Sequence, residues 1–264
     1  MSINDIGTRG GAFRPGDLLI ALALLTRLPV RFDLSGARAP SAAAWAYPLM
    51  GLVVGGIALC VGWLFESLGT AAPITAFFVL LSMVITTGAM HEDGLADCAD
   101  GFWGGWDVAR RLEIMKDSQV GTYGVIALVM SLLLRWYVLT MLIDKGALVG
   151  AMLVSAVMSR AAMVAVMHRL ANARRSGLSA QTGRPGGLPT LVAIAFAFLA
   201  AIAAPEVSFV WLILSAACVT LAAGTLAQAK IGGQTGDVLG ATQQLVEITV
   251  LIAFDVMISN WGMT

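Results

Sequence analysis

The stretch GVIALVMSLLLRWYVLTMLI, residues 124–143, carries a single charged side chain, Arg135. A transmembrane α-helix needs about 20 consecutive apolar residues to cross the hydrocarbon core of a bilayer. Backbone N–H and C=O groups find no water there, and the stretch lacks the alternating pattern of a barrel strand. It therefore predicts a membrane-spanning helix.

Most of the chain repeats this pattern. Its 264 residues are 58% hydrophobic and 12% charged, with a mean hydropathy of +0.85, whereas soluble domains carry about 25% charged residues. The predicted spans are residues 42–65, 71–90, 124–143, 146–167, 188–204, 207–228 and 243–262. Residues 15–32 hold a shorter apolar run, for which we expect an interfacial or re-entrant helix. The sequence thus predicts an all-α polytopic transmembrane bundle of about seven spans, forming one domain over residues 1–264.

The connections between these spans differ in length and charge. On one side lie the segment 1–41 and the loops 91–123, 168–187 and 229–242, which hold thirteen of the sixteen Lys and Arg residues. The connections on the other side are two to five residues long and contribute only Lys145. Cytoplasmic loops carry the excess of positive charge, so the long loops, and any active site in them, are predicted to be cytoplasmic. The net charge of zero gives no reason to expect a nucleic-acid partner.

The loop 91–123 opens with an acidic run, HEDGLADCADG, residues 91–101. Asp93, Asp97 and Asp100 are spaced i, i+4, i+7, which places them on one face of a helix. Crowded carboxylates repel one another unless a cation lies between them, and such ligands suit Mg²⁺, which usually also binds substrate phosphates. The run predicts a magnesium site for phosphoryl chemistry. The alternative is a solvated loop whose aspartates cap helices, with Asp93 as an N-cap.

Residues around this run are candidates for catalysis and substrate binding. His91 is a candidate general base for a substrate hydroxyl, or else an interfacial histidine held by a hydrogen bond. Basic and polar residues further along the loop suit phosphate binding, although basic residues near a span also serve as membrane anchors. The basic residues are Arg110, Arg111 and Lys116, and Asp117 and Ser118 beside them are candidates for orienting the substrate or completing the metal site.

The loop 229–242 contains a second motif, GGQTGDVLGA, residues 232–241. Gly236 and Asp237 stand just before the last span, where a helix N-terminus or a glycine-flanked backbone can bind an anion and Asp237 can add a metal ligand. The alternative is a flexible turn capped by Asp237.

Charged residues also occur inside the predicted spans. Arg160 lies about two turns from the cytoplasmic end of its span and is a candidate contact for an anionic substrate, together with arginines of the basic loop 168–187. Arg135 and Asp255 lie at similar depths in their own spans. We expect these two residues to pair, because an unpaired charge in a bilayer is costly.

Taken in order, these motifs resemble those of the cobalamin synthases, the adenosylcobinamide-GDP ribazoletransferases. The resemblance is carried by HEDGLADCADG (91–101), by RLEIMKDS (111–118) with GTYG (121–124), and by GGQTGDVLGA (232–241). The short motifs RLP (27–29) and YPLMG (47–51) also fit. The chain departs from the family pattern at Glu92, usually apolar, and at Gln244, often a carboxylate.

The resemblance implies a Mg²⁺-dependent enzyme of the bacterial inner membrane. It would join adenosylcobinamide-GDP to α-ribazole or its 5′-phosphate and release GMP, with Mg²⁺ held by Asp93, Asp97 and Asp100. His91 or an aspartate would take the hydroxyl proton. The implied partners are these small molecules and the lipid bilayer, and we also expect contacts with other corrinoid-assembly enzymes or between copies of the chain.

Two other functions stay open at this point. CDP-alcohol phosphotransferases carry a related acidic pattern, Asp-x-x-Asp-Gly-x-x-Ala-Arg, but the spacing here is Asp-x-x-x-Asp-x-x-Asp-Gly and the Ala-Arg pair is missing. A transporter would place charged residues near the bilayer midplane and break helices in both halves. Here the carboxylates of residues 91–101 lie at one surface.

Overall fold

The computed structural model describes residues 13–30, 39–205 and 207–261, and within them the fold is all-α, as predicted. A 3₁₀ helix, Pro40–Ala46, precedes the second α-helix. The α-helices are α1 (Pro15–Leu25), α2 (Tyr47–Ser67), α3 (Ala72–Thr87), α4 (Met90–Gly104), α5 (Val108–Ile114), α6 (Thr122–Asp144), α7 (Leu148–Arg169), α8 (Leu178–Thr182), α9 (Gly187–Ile202), α10 (Phe209–Ile231) and α11 (Gly236–Trp261).

Each of the seven predicted spans coincides with a helix, namely α2, α3, α6, α7, α9, α10 and α11. Five of the described helices, α2, α6, α7, α10 and α11, are long and apolar enough to cross a bilayer by themselves. Helix α3 passes the same test only together with α4, and α9 is a shorter apolar helix. The chain is therefore a polytopic helical membrane protein, while the count of seven spans stays a prediction.

The N-terminal helix α1 is shorter than predicted. It ends at Leu25, and Thr26 closes it by donating its backbone N–H to the Leu22 carbonyl. Its 11 residues rise about 16 Å at 1.5 Å each, which is too little to cross a bilayer. This length agrees with an interfacial or re-entrant helix; the end of the predicted segment, residues 31–32, lies outside the described residues.

A sharp turn separates the apolar helix α3 from the acidic helix α4. Gly88 and Ala89 adopt left-handed backbone conformations, with φ of 66° and 57°, and such residues end helices. The two helix axes consequently differ by 86°. Gly88 also lies against the Arg27 side chain, which would collide with any β-carbon there. The turn directs the acidic run away from the axis of α3.

Helix α7 is the centre of the bundle. Its apolar stretch is 78% buried inside the protein, compared with 11% for α10 at the periphery. Helices α2 and α7 cross closely at Gly51, where a β-carbon would collide with the Ala156 carbonyl. The apolar surfaces of α10 that do not pack against the protein are left for lipid.

The ends of the bundle have different roles. At one end, α4 contacts the start of α6 and α11, and Lys230 at the end of α10 donates to the Phe102 carbonyl at 3.0 Å. At the other end, Lys145 pairs with Asp255 at 2.5 Å. The predicted pairing of Arg135 with Asp255 is therefore wrong: Asp255 lies nearer the far end, within reach of the α6–α7 connection.

Candidate active site

A cavity opens at the end of the bundle where the long loops meet. Its lining comes from helices α4 and α11 with the segment 172–182, and from helices α1, α2 and α7. The predicted site residues His91, Asp93, Gly236 and Asp237 line it. Two motifs that are separated by more than 130 residues in the sequence are thus brought to one place.

Glycines explain how α4 and α11 approach so closely. A β-carbon on Gly94 would lie 2.7 Å from the Asp237 carbonyl oxygen, and one on Gly240 would lie 3.2 Å from the Cα of His91. Both distances are shorter than ordinary van der Waals contact. The two helices can therefore cross with backbone nearly touching backbone, which places Asp93 and Asp97 beside Asp237.

The carboxylates near this crossing repel one another. The pKa of Asp97 is raised to about 7, first by burial and then by the negative charges of Asp237 and Asp93, while Arg174 opposes the rise. Burial and nearby like charges both disfavour the ionised form of a carboxyl group, and the share due to Asp237 and Asp93 comes from crowded negative charge. A cation bound between these carboxylates would relieve it.

Asp100 is turned away from this crossing. Its Oδ2 accepts the Gly121 N–H at 2.7 Å and its Oδ1 accepts the Gly124 N–H at 2.9 Å. The carboxylate therefore caps the N-terminus of α6 and satisfies two N–H groups that lack helical partners. The capping role that we considered for Asp93 is fulfilled by Asp100 instead, while Asp93 is exposed at the cavity.

The donor set fits Mg²⁺ in one particular way. Within residues 13–30, 39–205 and 207–261, no three His, Cys, Asp or Glu side chains are grouped closely enough to hold a metal ion by themselves. Mg²⁺ is commonly bound by one or two carboxylates, with substrate phosphates and water as the other ligands. The crowded acids Asp93, Asp97 and Asp237 suit such a shared site, which a phosphate-bearing substrate would complete.

The second motif is a structured loop. Gln234 lies beside Asn172 in a short parallel bridge: its backbone N–H donates to the Ala171 carbonyl and its carbonyl accepts the Ala173 N–H, both at 2.8 Å. Its side chain contacts Asn172 and accepts the Ser179 hydroxyl at 2.7 Å. The flexible turn that we considered for this motif is thus replaced by a loop held to the basic loop 168–187.

The start of α11 is fixed by Thr235. Its hydroxyl accepts the Val238 N–H at 3.3 Å and donates to Asp237 Oδ2 at 3.1 Å. Thr235 therefore acts as a helix N-cap, and Asp237 stands in the first turn of α11 with its carboxylate at the cavity.

Arg174 is a cavity residue that the sequence did not single out. Its Nη1 lies 3.3 Å from Asp237 Oδ2, and its Nη2 donates to the Leu112 carbonyl at 3.2 Å. It thus joins all three long loops and brings a positive charge to the cavity. In the sequence it is one of four arginines in the loop 168–187, and spacing alone does not distinguish it from the others.

The predicted phosphate-binding residues of the loop 91–123 lie elsewhere. Arg111 donates to the backbone carbonyls of Gly105 and Lys230 at 3.1 and 2.8 Å, so its guanidinium braces the loop. Arg110 is exposed and pairs with Glu113 at 2.7 Å. Lys116, Asp117 and Ser118 are exposed. Arg110 and Asp117 line a second, more open cleft near Asp100, so this group does not meet the acids of the first cavity.

Arg160 belongs to a buried ionic network. Arg135 on α6 donates to Glu92 at 2.9 Å and lies 3.4 Å from Glu247, and Arg160 lies 3.4 Å from the other Glu247 oxygen. Arg160 is 1% exposed, so the structure gives it an ion-pairing role inside the bundle and no place on the cavity surface. Gln244 donates to Glu92 Oε1 at 3.2 Å, which joins the two positions where the chain departs from the family pattern.

His91 connects this network to the cavity. It precedes Glu92 on α4, lines the cavity and is 1% exposed. Its Nε2 has no hydrogen-bond partner among the described residues. Because a buried polar atom without a partner costs free energy, this nitrogen is suited to meet a polar group of a bound substrate.

The sequence comparisons agree with this geometry. The family model described as cobalamin-5-phosphate synthase matches residues 17–255. The chain belongs to this family. The match includes both motifs that line the cavity and the segment that carries Arg174, and it confirms the resemblance stated from the motifs.

Similar proteins carry a consistent name. Three relatives are named adenosylcobinamide-GDP ribazoletransferase. The protein from Mesorhizobium japonicum is 42% identical over 92% of this chain and 94% of the relative, and the one from Bradyrhizobium diazoefficiens is 42% identical over 89% of this chain and 92% of the relative. The protein from Rhizobium meliloti is 40% identical over 89% of this chain and 94% of the relative. No solved structure matches the chain.

Proposed function

We propose that this chain is a ribazoletransferase that joins adenosylcobinamide-GDP to α-ribazole, or to its 5′-phosphate, and releases GMP. The observation that carries the proposal is the meeting of Asp93, Asp237 and Arg174 at one cavity in a member of the cobalamin-5-phosphate synthase family. Facing carboxylates and a guanidinium are the groups that a metal-bound diphosphate requires.

In the reaction, a ribose hydroxyl oxygen forms a bond to the phosphorus attached to the corrinoid side chain. The bond from that phosphorus to the GMP oxygen breaks, and GMP leaves with the electron pair. One or two of the carboxylates of Asp93, Asp97 and Asp237 would hold Mg²⁺, which when bound supplies positive charge to the diphosphate and the leaving phosphate. Arg174 adds a fixed positive charge next to Asp237.

His91 is the candidate acceptor for the hydroxyl proton. It lies two residues before Asp93 and lines the same cavity, and its Nε2 is free of partners among the described residues. A base must lie within hydrogen-bond reach of the proton that it removes. A ribose hydroxyl bound beside Asp93 would meet this requirement.

The proposed location is the bacterial inner membrane with the cavity facing the cytoplasm. The segment 1–41 and the loops 91–123, 168–187 and 229–242 together carry thirteen of the sixteen Lys and Arg residues, whereas Lys145 stands alone in the short connections. Positive loops stay on the cytoplasmic side, where the two water-soluble substrates would be found. Association with other corrinoid-assembly enzymes, or between copies of the chain, stays a prediction.

The test uses the purified full chain in lipid nanodiscs. We expect GMP and the joined corrinoid from adenosylcobinamide-GDP plus α-ribazole, with formation abolished by EDTA and restored by Mg²⁺. Product formation from a CDP-alcohol and a lipid in place of these substrates, or uptake of labelled corrinoid into liposomes without any GMP, would overturn the proposal.

A further inference from the structure

The cavity has one side that the reaction described above does not use. Helices α1, α2 and α7 contribute Leu24, Leu25, Tyr47, Met163 and Met167 to its lining. Apart from the Tyr47 hydroxyl, these side chains are apolar. The carboxylates and Arg174 come instead from α4, α11 and the segment 172–182. The charged groups of the lining therefore come from one set of segments, while the residues from α1, α2 and α7, called here the apolar side, are joined by Met90 and Leu239 from α4 and α11.

Tyr47 is the polar feature of the apolar side. It is 2% exposed, and its hydroxyl has no hydrogen-bond partner among the described residues. Four polar residues of the lining are bonded in pairs: Ser179 to Gln234 at 2.7 Å, and Arg174 to Asp237 at 3.3 Å. A buried hydroxyl without a partner is unfavourable unless a ligand supplies one.

We infer that the apolar side of the cavity binds the aromatic base of the ribazole nucleophile, with the Tyr47 hydroxyl donating a hydrogen bond to the free ring nitrogen. This inference rests on the proposed function. The base is a dimethylbenzimidazole, which is flat, largely apolar, and has one ring nitrogen free to accept a hydrogen bond. Its ribose would then extend toward His91 and Asp93.

The chemistry of the lining favours this base over the other large groups of the substrates. Methionine sulfur packs well against aromatic rings and adapts to their shape, and Met163 and Met167 both line this side. Guanine carries several donors and acceptors on its edges, most of which would lose their partners here at a cost. The corrin ring has amide groups around its rim and would meet the same difficulty.

The position of His91 supports the same orientation. Its unpartnered Nε2 and the Tyr47 hydroxyl both belong to side chains of this lining, the former from α4 and the latter from α2. A riboside with its base against Tyr47 and its sugar at His91 gives both buried atoms a partner. It also brings the ribose hydroxyls toward Asp93, one of the acids proposed to hold Mg²⁺ beside the diphosphate.

The variant Tyr47→Phe tests the inference in the full chain. Loss of one neutral hydrogen bond weakens binding by about three- to tenfold. We expect the Kd and KM for α-ribazole to rise by this factor, while the KM for adenosylcobinamide-GDP and kcat change little. The control Tyr137→Phe alters an exposed tyrosine of α6 and should change none of them. Tyr47→Phe should not begin to unfold at a lower temperature than the wild type, because the Tyr47 hydroxyl has no hydrogen bond within the described residues that the variant could lose.

A ligand analogue makes the assignment specific. The corresponding riboside of dimethylindole lacks the free ring nitrogen, so the wild type should bind it about three- to tenfold more weakly than α-ribazole, and Tyr47→Phe should bind it as well as the wild type does. An unchanged Kd for α-ribazole in Tyr47→Phe, or a rise in the KM for adenosylcobinamide-GDP instead, would overturn the inference. Absence of GMP formation by the wild type would overturn the proposed function, whereas the binding measurement tests Tyr47 without turnover.

Discussion

Arg135 on α6 donates a hydrogen bond of 2.9 Å to Glu92 on α4, and neither side chain is more than 8% exposed. The pair ties the acidic helix to a membrane-spanning helix. Since Glu92 follows His91 directly, the pair also fixes the residue that reaches into the cavity. The ionic network therefore positions the site from outside the cavity, since its four charged side chains are not part of the lining.

Removal of the Glu92 charge should destabilise the protein. In Glu92→Gln, Arg135 keeps only the Glu247 contact at 3.4 Å, and loss of one partner from a buried ion pair costs about 3–5 kcal/mol. Thermal unfolding of the detergent-solubilised protein should begin at a clearly lower temperature. The control Glu66→Gln removes an exposed carboxylate of α2 and should have little effect.

The double variant Glu92→Gln with Gln244→Glu provides a rescue. Gln244 lies 3.2 Å from Glu92, so a carboxylate at position 244 can replace the missing charge near Arg135. We expect the double variant to unfold at a higher temperature than Glu92→Gln. Equal unfolding temperatures would contradict the view that Arg135 requires a second carboxylate at this place.

The crossing of α4 and α11 should tolerate no side chain at Gly94. In Gly94→Ala the new β-carbon would lie 2.7 Å from the Asp237 carbonyl oxygen, and overpacking of this kind costs about 1–3 kcal/mol. Because the helices must move apart, GMP formation should fall even in the fraction of the protein that stays folded. Gly56→Ala is the matched control, since a β-carbon on that α2 glycine meets nothing within 4 Å; equal activity of the two variants would argue against the close crossing.

Asp97 and Asp100 should differ in what their replacement does. Asp97→Asn removes a charge from a crowded group, so turnover should be abolished while the unfolding temperature stays the same or rises. Asp100→Asn leaves one acceptor oxygen for two backbone N–H groups, at a cost of about 1.5–3 kcal/mol in stability. GMP assays and thermal unfolding of both variants check this, and near-normal turnover of Asp97→Asn would remove Asp97 from the mechanism.

Gln234 should govern the order of the basic loop. Gln234 is 1% exposed. Its side chain accepts the Ser179 hydroxyl and contacts Asn172, so Gln234→Ala removes two side-chain hydrogen bonds at about 0.5–1.5 kcal/mol each, while the backbone bonds of residue 234 remain. We expect protease cleavage within residues 171–186 to become faster and KM values to rise. Gln228→Ala, on an exposed position of α10, is the control, and equal cleavage rates would refute the role of Gln234.

The sequence predicted the helices well, because each apolar stretch forms a helix in the bilayer whatever its neighbours are. It also offered Asp237 as a further ligand of the metal site that contains Asp93, and both residues line the cavity. It did not predict the partners of charged residues. Spacing on an ideal helix placed Asp100 with Asp93 and Asp97, yet the side chain of Asp100 is drawn to the free N–H groups of α6.

The sequence could not show which residues from distant parts of the chain contact each other, for a physical reason. The depth of a charge along a span says nothing about which helix stands beside it, so Arg135 was matched with Asp255 and not with Glu92 and Glu247. Similarly, Arg174 and Tyr47 acquire their roles only when three or more segments pack together. Such roles depend on packing across the bundle, which a linear pattern does not encode.

The buried network has an electrical consequence. Arg135 and Arg160 bring two positive charges, and Glu92 and Glu247 bring two negative charges. A membrane voltage does work of about 2.3 kcal/mol per elementary charge per 100 mV, but this work cancels for a group that is neutral as a whole. A change in the membrane voltage therefore exerts no net force that would move the four side chains as a group along the membrane normal.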